Sequence, residues 1–280
     1  MKKKWWMPAF LSLWLLCCTY VDGDVPERET ANITFFDVGQ GLSVLLEQNG
    51  RYALYDTGPD SMGIWDSLKS RHVDSLDWIV ISHNHRDHGG GFIENVKNFP
   101  WVGEVFVSSD TAGGFVRDSV ASLCRKRNIV VDTLLRGDHL RLGSLDVKVL
   151  WPTAYGKVGE NGASIVLQIL LGEASVLLVG DLDAEGEQQL LELSPSLRTD
   201  LLQVGHHGSA GSSSLKFLSQ VSPQYAVISV GEKNNYGHPT SEVLQKLYYV
   251  VQDSSSVLRT DKDGTVEFEL TNLEKGVFKK

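Results

Sequence analysis

From residue 32 onward, apolar runs of four to seven residues alternate with turn signals, at 33–38, 42–47, 52–56, 76–82, 105–108, 129–135, 145–150, 165–171, 175–180, 201–204, 225–230 and 265–270. Most of these runs predict strands, because their length and their Gly, Asn and Asp boundaries suit a buried sheet. Between them, helical periodicity appears at 114–127, 184–193, 213–221 and 241–250. Pro239-Thr240 supplies a start signal for the last of these helices. Many strands with helices interspersed, and hairpin-like successions early in each half, predict an α/β fold of two packed sheets with helices on their outer faces. No internal repeat, low-complexity tract or interdomain linker stands out, so residues 32–280 read as one domain.

The first eighteen residues follow another pattern. Lys2, Lys3 and Lys4 precede an apolar run from Trp5 to Cys18 that only Pro8 and Ser12 interrupt. A basic stretch and then a short apolar one is the signature of an export signal, and the run falls short of the roughly 20 residues of a spanning helix. Leu15-Leu16-Cys17-Cys18 resembles a degenerate lipoprotein box, with Cys18 or Cys17 the lipidated residue and ordinary cleavage the alternative. Residues 19–31 are polar, carry Gly23 and Pro26, and read as a tether. The expected location is the periplasmic or extracellular face, with or without a lipid anchor.

An apolar content of 42% suits a chain with a substantial core and excludes disordered and fibrous classes. Loss of the leader removes three of 26 basic residues and none of 35 acidic ones, which takes the net charge from −9 to −12. Such a surface does not capture nucleic acid broadly, so a polyanion must be held locally, by metal ions and a few basic groups. Only Cys124 is left outside the leader, which excludes an internal disulfide.

The sharpest chemical signal follows the run at 76–82: His83-Asn84-His85-Arg86-Asp87-His88, and then Gly89-Gly90-Gly91. In an extended segment residues two apart face the same way, so His83 and His85 can present imidazoles to one metal ion. A turn then brings Asp87 and His88 round to a second. Imidazole nitrogen with carboxylate oxygen suits zinc, manganese or iron, and no nearby cysteine offers a thiolate. The three glycines are expected to let the backbone turn tightly before a helix that begins near Phe92.

Later segments repeat the arrangement of an apolar run followed by chemistry. Gly180-Asp181 places a carboxylate at a strand end, where it can bridge two ions; the competing role for Asp181 or Asp183 is to cap the helix at Ala184. Val204-Gly205-His206-His207-Gly208-Ser209 and Asn234-Asn235-Tyr236-Gly237-His238-Pro239 follow two further runs. Six of the eight histidines therefore sit after apolar runs, with His72 and His139 left in polar surroundings as surface residues. Asp56, ending another run, suits accepting the N–H of a metal-bound imidazole or serves only as a turn aspartate.

In this order, Asp56, the His83 to His88 signature, Asp181 and a late histidine resemble the metallo-β-lactamase superfamily. Further motifs are similar to the hydrolase domain of ComEC-type competence proteins: Phe36-Asp37-Val38-Gly39-Gln40-Gly41, residues 161–166, Gly180-Asp181, Gly205-His206-His207-Gly208-Ser209, Tyr236-Gly237-His238-Pro239 and Arg259-Thr260-Asp261. The likeness runs from about residue 33 to 270. It implies a four-layer αββα sandwich with metal ions where strand-end loops meet, and a nuclease role at the cell exterior during DNA uptake. The superfamily's usual third-motif histidine is missing, since that region reads Glu160-Asn161-Gly162-Ala163-Ser164. ComEC-type sequences share this absence, which leaves an open position for water or a phosphate oxygen.

On this reading two divalent ions, zinc or manganese, are expected: one on His83, His85 and Asp181, the other on Asp87, His88, Asp181 and one of His206 or His207. A hydroxide between them attacks phosphorus, and the other histidine of the pair or His238 gives a proton to the leaving oxygen. Asp87, His207 and His238 are thus the expected catalytic residues, with Ser209, Asn235 and Tyr236 as phosphate or base contacts. The expected substrate is a phosphodiester, DNA first. One alternative is a choline-phosphate or teichoic-acid phosphodiesterase of the envelope, with Trp65, Trp101 and Trp151 as candidates for an aromatic cage or for simple packing. Another is a non-catalytic envelope lipoprotein that keeps the fold for binding. Nothing in the chain identifies a β-lactam pocket.

Overall fold

Neighbouring residues of the central strands belong to different apolar cores. In β4 (Ser75–Ile81), Trp78 and Val80 enter one cluster while Leu76, Ile79 and Ile81 enter another. In β10 (Ala174–Leu178), Val176 and Leu178 join the first cluster and Leu177 a third. Side chains alternate along a strand, so a strand covered on both faces divides its residues this way and reads as a continuous apolar run.

The computed structural model describes residues 27–61, 64–95, 101–110, 114–154, 161–273 and 276–280. The expected leader at 1–18, with Cys17 and Cys18, and most of the expected tether lie outside the described residues. The first sheet holds β1 (Thr30–Phe35), β2 (Val44–Gln48), β3 (Arg51–Tyr55), β4, β5 (Trp101–Val107), β6 (Val130–Thr133), β14 (Val266–Thr271) and β15 (Val277–Lys279), in the order β15-β14-β1-β2-β3-β4-β5-β6. The second holds β7 (His139–Leu142), β8 (Leu145–Trp151), β9 (Val166–Leu171), β10, β11 (Leu201–Gln203), β12 (Tyr225–Ile228) and β13 (Val257–Arg259), in the order β13-β12-β11-β10-β9-β8-β7.

Phe35, Leu46 and Tyr55 from the first sheet meet Val147, Leu167 and Ile169 from the second in the central core. Helices α1 (Ile64–Ser70), α2 (Arg86–Asn95) and α3 (Phe115–Arg127) cover the other face of the first sheet through Leu68, Phe92, Val116 and Val120. Helices α4 (Ala184–Leu193), α5 (Leu215–Val221) and α6 (Ser241–Val251) cover the second through Leu190, Phe217 and Leu247. The result is the four-layer αββα sandwich.

Each sheet changes from antiparallel to parallel pairing partway across. β14, β1, β2 and β3 pair antiparallel, whereas β3 to β6 are parallel. β7 to β10 pair antiparallel, and β10 to β13 are parallel. Parallel strands share a carboxyl edge, where open α/β sheets place their ligands. Asp56 follows β3, His83 follows β4, Asp181 follows β10, His206 follows β11, and His238 lies on the loop after β12.

Several elements depart from the sequence pattern. β1 starts at Thr30, two residues ahead of the expected domain start at Asn32, because Thr30 pairs with Thr271. β7, β13 and β15 have no counterpart among the expected strands; each is three or four residues long and carries charged side chains. His139, expected as a surface residue, is exposed but stands in β7 opposite Lys148.

Helix α4 also carries a buried acid. Glu187 accepts the backbone N–H groups of Ser213 and Ser214, which ties down the loop after Gly208. Burial pushes its carboxyl up to about 7 although these N–H groups pull the other way. A folded value above the ordinary 4.5 means that this contribution to stability is complete below about pH 4.5 and is lost as pH rises through about 7. Unfolding curves should show a loss of about 3 kcal/mol across that window, from about 1.4 kcal/mol per pH unit. In Glu187→Gln, which cannot titrate, that loss should disappear; equal pH profiles of the two proteins would contradict the assignment.

Candidate metal centre

The His83 to His88 motif straddles two conformations. His83 and His85 lie on the short bent loop that leaves β4, while Asp87 and His88 sit in the first turn of α2, which starts at Arg86 and not near Phe92. Gly89, Gly90 and Gly91 are therefore inside a helix, and the expected glycine turn is not there. Their role is close approach. A Cβ on Gly89 would come 2.4 Å from Val116 Cγ1, one on Gly90 2.6 Å from Asp60 N, and one on Gly91 2.1 Å from Thr57 O. Only a helix bare on these faces can bring Asp87 and His88 so near the edge of the first sheet.

Six side chains form two groups, His83 with His85 and Asp181, and Asp87 with His88 and His207; within each, one ligand atom per residue lies within 4.8 Å of the others. His83 Nε2 and His85 Nδ1 are 2.9 Å apart. Asp181 stands between the groups. Its Oδ2 is 3.7 Å from His83 Nε2, and its Oδ1 is 3.2 Å from His88 Nε2 and 3.7 Å from His207 Nε2. Asp87 Oδ2 closes the second group at 3.3 Å from His207 Nε2. Asp181 leaves the capping of α4 to Asp183, whose carboxylate accepts the Gly186 N–H at 2.9 Å.

The outward nitrogens of three imidazoles are tied down. His88 Nδ1–H donates to Asp56 Oδ2 at 2.7 Å, and His207 Nδ1–H donates to the Ser229 carbonyl at 2.8 Å. The Ser82 hydroxyl donates to Asp56 Oδ2 at 2.8 Å, so at 3.0 Å from His83 Nδ1 it acts as acceptor of that N–H. Each bond fixes a tautomer whose Nε2 lone pair faces inward.

These residues fit divalent ions. His88 Nε2, His207 Nε2 and Asp181 Oδ1 are buried without a hydrogen-bond partner, an arrangement that costs about 1–3 kcal/mol per atom unless something else satisfies it. Three such acceptors aimed at one another from helix α2 and two strand-end loops are a cation site by chemistry. Charge supports this. Burial alone would raise the Asp181 carboxyl, but the imidazoles of His88 and His207 hold it well below the carboxylate range. Burial would lower His88, yet Asp181, Asp56 and Asp87 hold it well above the usual imidazole value. Carboxylates on several sides of His88 favour positive charge at this spot, which a divalent cation would supply.

The Metallo-beta-lactamase superfamily profile matches residues 36–232. The chain belongs to that superfamily. It is 32% identical over 86% of its length to ComE operon protein 3 of Bacillus subtilis (strain 168), and 37% identical over 88% of its length to Competence protein ComA of Neisseria gonorrhoeae. It spans 33% of the length of each of these relatives. The metallo-beta-lactamase fold protein YhfI from Bacillus subtilis superposes with a TM-score of 0.57 at 13% identity, covering 86% of this chain and 99% of that one, a likeness of fold. Members of the superfamily are generally metal-dependent hydrolases, and the fold implies divalent ions at such a His/Asp cluster.

Within this superfamily frame, the adjacent histidines take different places. His206 and His207 both adopt the left-handed conformation, with φ 50° and 54°, at about 1–2 kcal/mol each. Extended neighbours would point to opposite faces, whereas here both rings reach Asp181. His207 joins the second group; His206 stands aside, its Nε2 3.7 Å from Asp181 Oδ2. Gln203 holds this geometry: its Oε1 accepts the N–H groups of Val179 and Gly180, and its Nε2 donates to the carbonyls of Gly180 and Val204. In the segment without the third-motif histidine, Asn161 Nδ2 lies 3.4 Å from His206 Nδ1, and the Ser164 hydroxyl accepts the Asp181 N–H at 3.2 Å.

The groups open into a cavity of about 310 Å³ lined by His85, Asp87, His206, His238 and Tyr236, and also by Gln40 and Arg86, two residues the motif reading passed over. Gln40 lies within the quoted Phe36 to Gly41 motif, the one sequence signal that could have found it. Ser209 and Asn235, expected as substrate contacts, do not line the cavity. The Ser209 hydroxyl accepts the Gly211 N–H at 3.3 Å, and Asn235 is exposed. Trp65, Trp101 and Trp151 form no cage there either: Trp101 is exposed at the start of β5, and Trp151 is buried with Nε1–H donating to the Gly162 carbonyl at 2.7 Å.

Proposed function

We propose that this superfamily member is an exported phosphodiesterase that uses two divalent ions to cleave nucleic acid, DNA first. The observation that carries the reading is the pair of three-residue ligand groups facing one carboxylate, Asp181, at the floor of an open cavity. When bound, the ions supply Lewis acidity toward phosphoryl oxygens and acidify water near neutral pH. The chain's own residues do the rest. Asp56, Ser82 and Ser229 keep the imidazoles in register. His206 and His238 stand outside both groups but line the cavity, where each ring is placed to exchange a proton with the leaving oxygen; burial shifts both below the usual imidazole value.

Among the described residues that line the cavity Arg86 is the one Lys or Arg, and it is paired with Asp60. Local charge at the cavity floor, not a basic face, is what suits a phosphodiester here. The similarity to competence proteins supports DNA as substrate, and the basic and apolar residues 1–18 support export, with Cys17 or Cys18 as a lipid attachment point. The test is side-by-side incubation of the metal-loaded protein with single-stranded DNA, duplex DNA, RNA and a choline phosphodiester. Chelator-sensitive DNA cleavage is expected. Cleavage of the choline ester alone would favour the envelope phosphodiesterase, and cleavage of none would favour a binding lipoprotein.

A further inference from the structure

Among the described residues that line the cavity, one aromatic side chain stands largely in solvent. Tyr236 is 70% exposed, yet it lines the same cavity as Asp87, Asp181 and His207. One face of its ring is covered by His238, at 5.7 Å between centroids and 23° between planes. The His238 ring in turn stands 5.8 Å from that of His206, beside the ligand groups. The rings thus run from the cavity floor to its rim, with the outer face of Tyr236 open.

The loop that carries this ring is tied by hydrogen bonds. Asn234 uses its whole amide to hold it: Nδ2 donates to the carbonyls of Gly231 at 2.9 Å and His238 at 2.7 Å, and Oδ1 accepts the N–H groups of Tyr236 at 3.1 Å and His238 at 3.0 Å. The ring is therefore placed by the backbone of a clamped turn, and binding against it costs little further ordering. A flat aromatic face held in water beside a phosphodiester site suits another flat π-system.

Building on the phosphodiesterase reading, we propose that Tyr236, stacked on His238, is the platform for the unpaired base next to the scissile phosphodiester, so that the site takes single-stranded nucleic acid. In a duplex that base is stacked and paired, and extruding it costs a few kcal/mol of base stacking. Duplex tracking also needs a row of cations along the phosphates, whereas the net charge here is −9 and, among the described residues, Arg86 alone supplies a cation to the lining.

The test uses a single-stranded oligodeoxynucleotide with one cleavable phosphodiester and the other linkages blocked. Matched versions carry an abasic residue on the 5′ or the 3′ side of that linkage. For the metal-loaded parent, loss of the base on one side is expected to lower kcat/KM by about 5- to 150-fold, the range of a stacking contact. Tyr236→Phe should keep that ratio, and Tyr236→Ala should bring it close to one. Annealing a complementary strand should slow the parent. If the parent cleaves the ordinary strand but loses nothing on either abasic version, or if Tyr236→Ala keeps the parental ratio, the platform is overturned while the phosphodiesterase reading stands. A parent that cleaves no oligonucleotide removes both.

Discussion

The Asp87→Ala protein is expected to fold, to hold one divalent ion where two are proposed for the parent, and to lose hydrolysis. The carboxylate completes the group with His88 and His207. Against a burial effect that raises it, the neighbouring His88 and His207 imidazoles keep its carboxyl well below the usual range, as a ligand requires. Its structural duty falls on the backbone, whose carbonyl accepts the Leu42 N–H at 3.1 Å, and alanine preserves that. Its side chain is 32% exposed, so little packing goes with it. The loss of activity should exceed the roughly 10–100-fold typical of removing a mere outer partner of a metal ligand, with stability changed by only about 1 kcal/mol. Metal analysis, activity and urea unfolding check the three parts, and full activity in a folded one-ion protein would refute this ligand assignment.

Asp56→Ala is expected to damage both stability and metal affinity although Asp56 belongs to neither ligand group. The carboxylate is fully buried and accepts the Ser82 N–H at 2.7 Å, the Ser82 hydroxyl at 2.8 Å and the His88 Nδ1–H at 2.7 Å. Alanine orphans all three donors, which places the destabilisation at about 3–5 kcal/mol. It also frees the His88 ring to turn, for a further 10–100-fold or so in metal affinity. Asp56→Asn should lose less, since asparagine tolerates the residue's φ of 59° and keeps one acceptor. Urea unfolding of the metal-free protein and metal titration read the two effects; an unchanged metal affinity would show that His88 needs no support.

Most of the site was legible because each ligand follows an apolar run, and runs buried on both faces are easy to see. His83, Asp181 and His206 stand just past β4, β10 and β11; parallel pairing joins the ends of β10 and β11, and the packing of the two sheets brings the end of β4 to them. What remained open depends on backbone geometry and tertiary contact. Whether His206 or His207 serves the second group turns on two left-handed residues that no local signal announces. The Gly89 to Gly91 run looked like a turn because glycine is a turn residue locally; only the approach of Val116, Asp60 and Thr57 shows why a helix carries it. Helix α1 and strands β7, β13 and β15 are too short or too polar to show a period, and pairing with neighbours decides them. Gln203 and Asn234, which hold the strand-end loops through four hydrogen-bonding positions each, carry no motif because an amide shows its partners only in the folded chain.

The account rests on a shared pocket for two cations, and counting them is its most direct test. Elemental analysis of the purified protein, before and after dialysis against a chelator and reloading with zinc or manganese, should give two ions per chain, with hydrolysis lost on stripping and regained on reloading. Retention of full hydrolysis by a protein stripped of transition metals, or no stoichiometric binding at any loading, would contradict it.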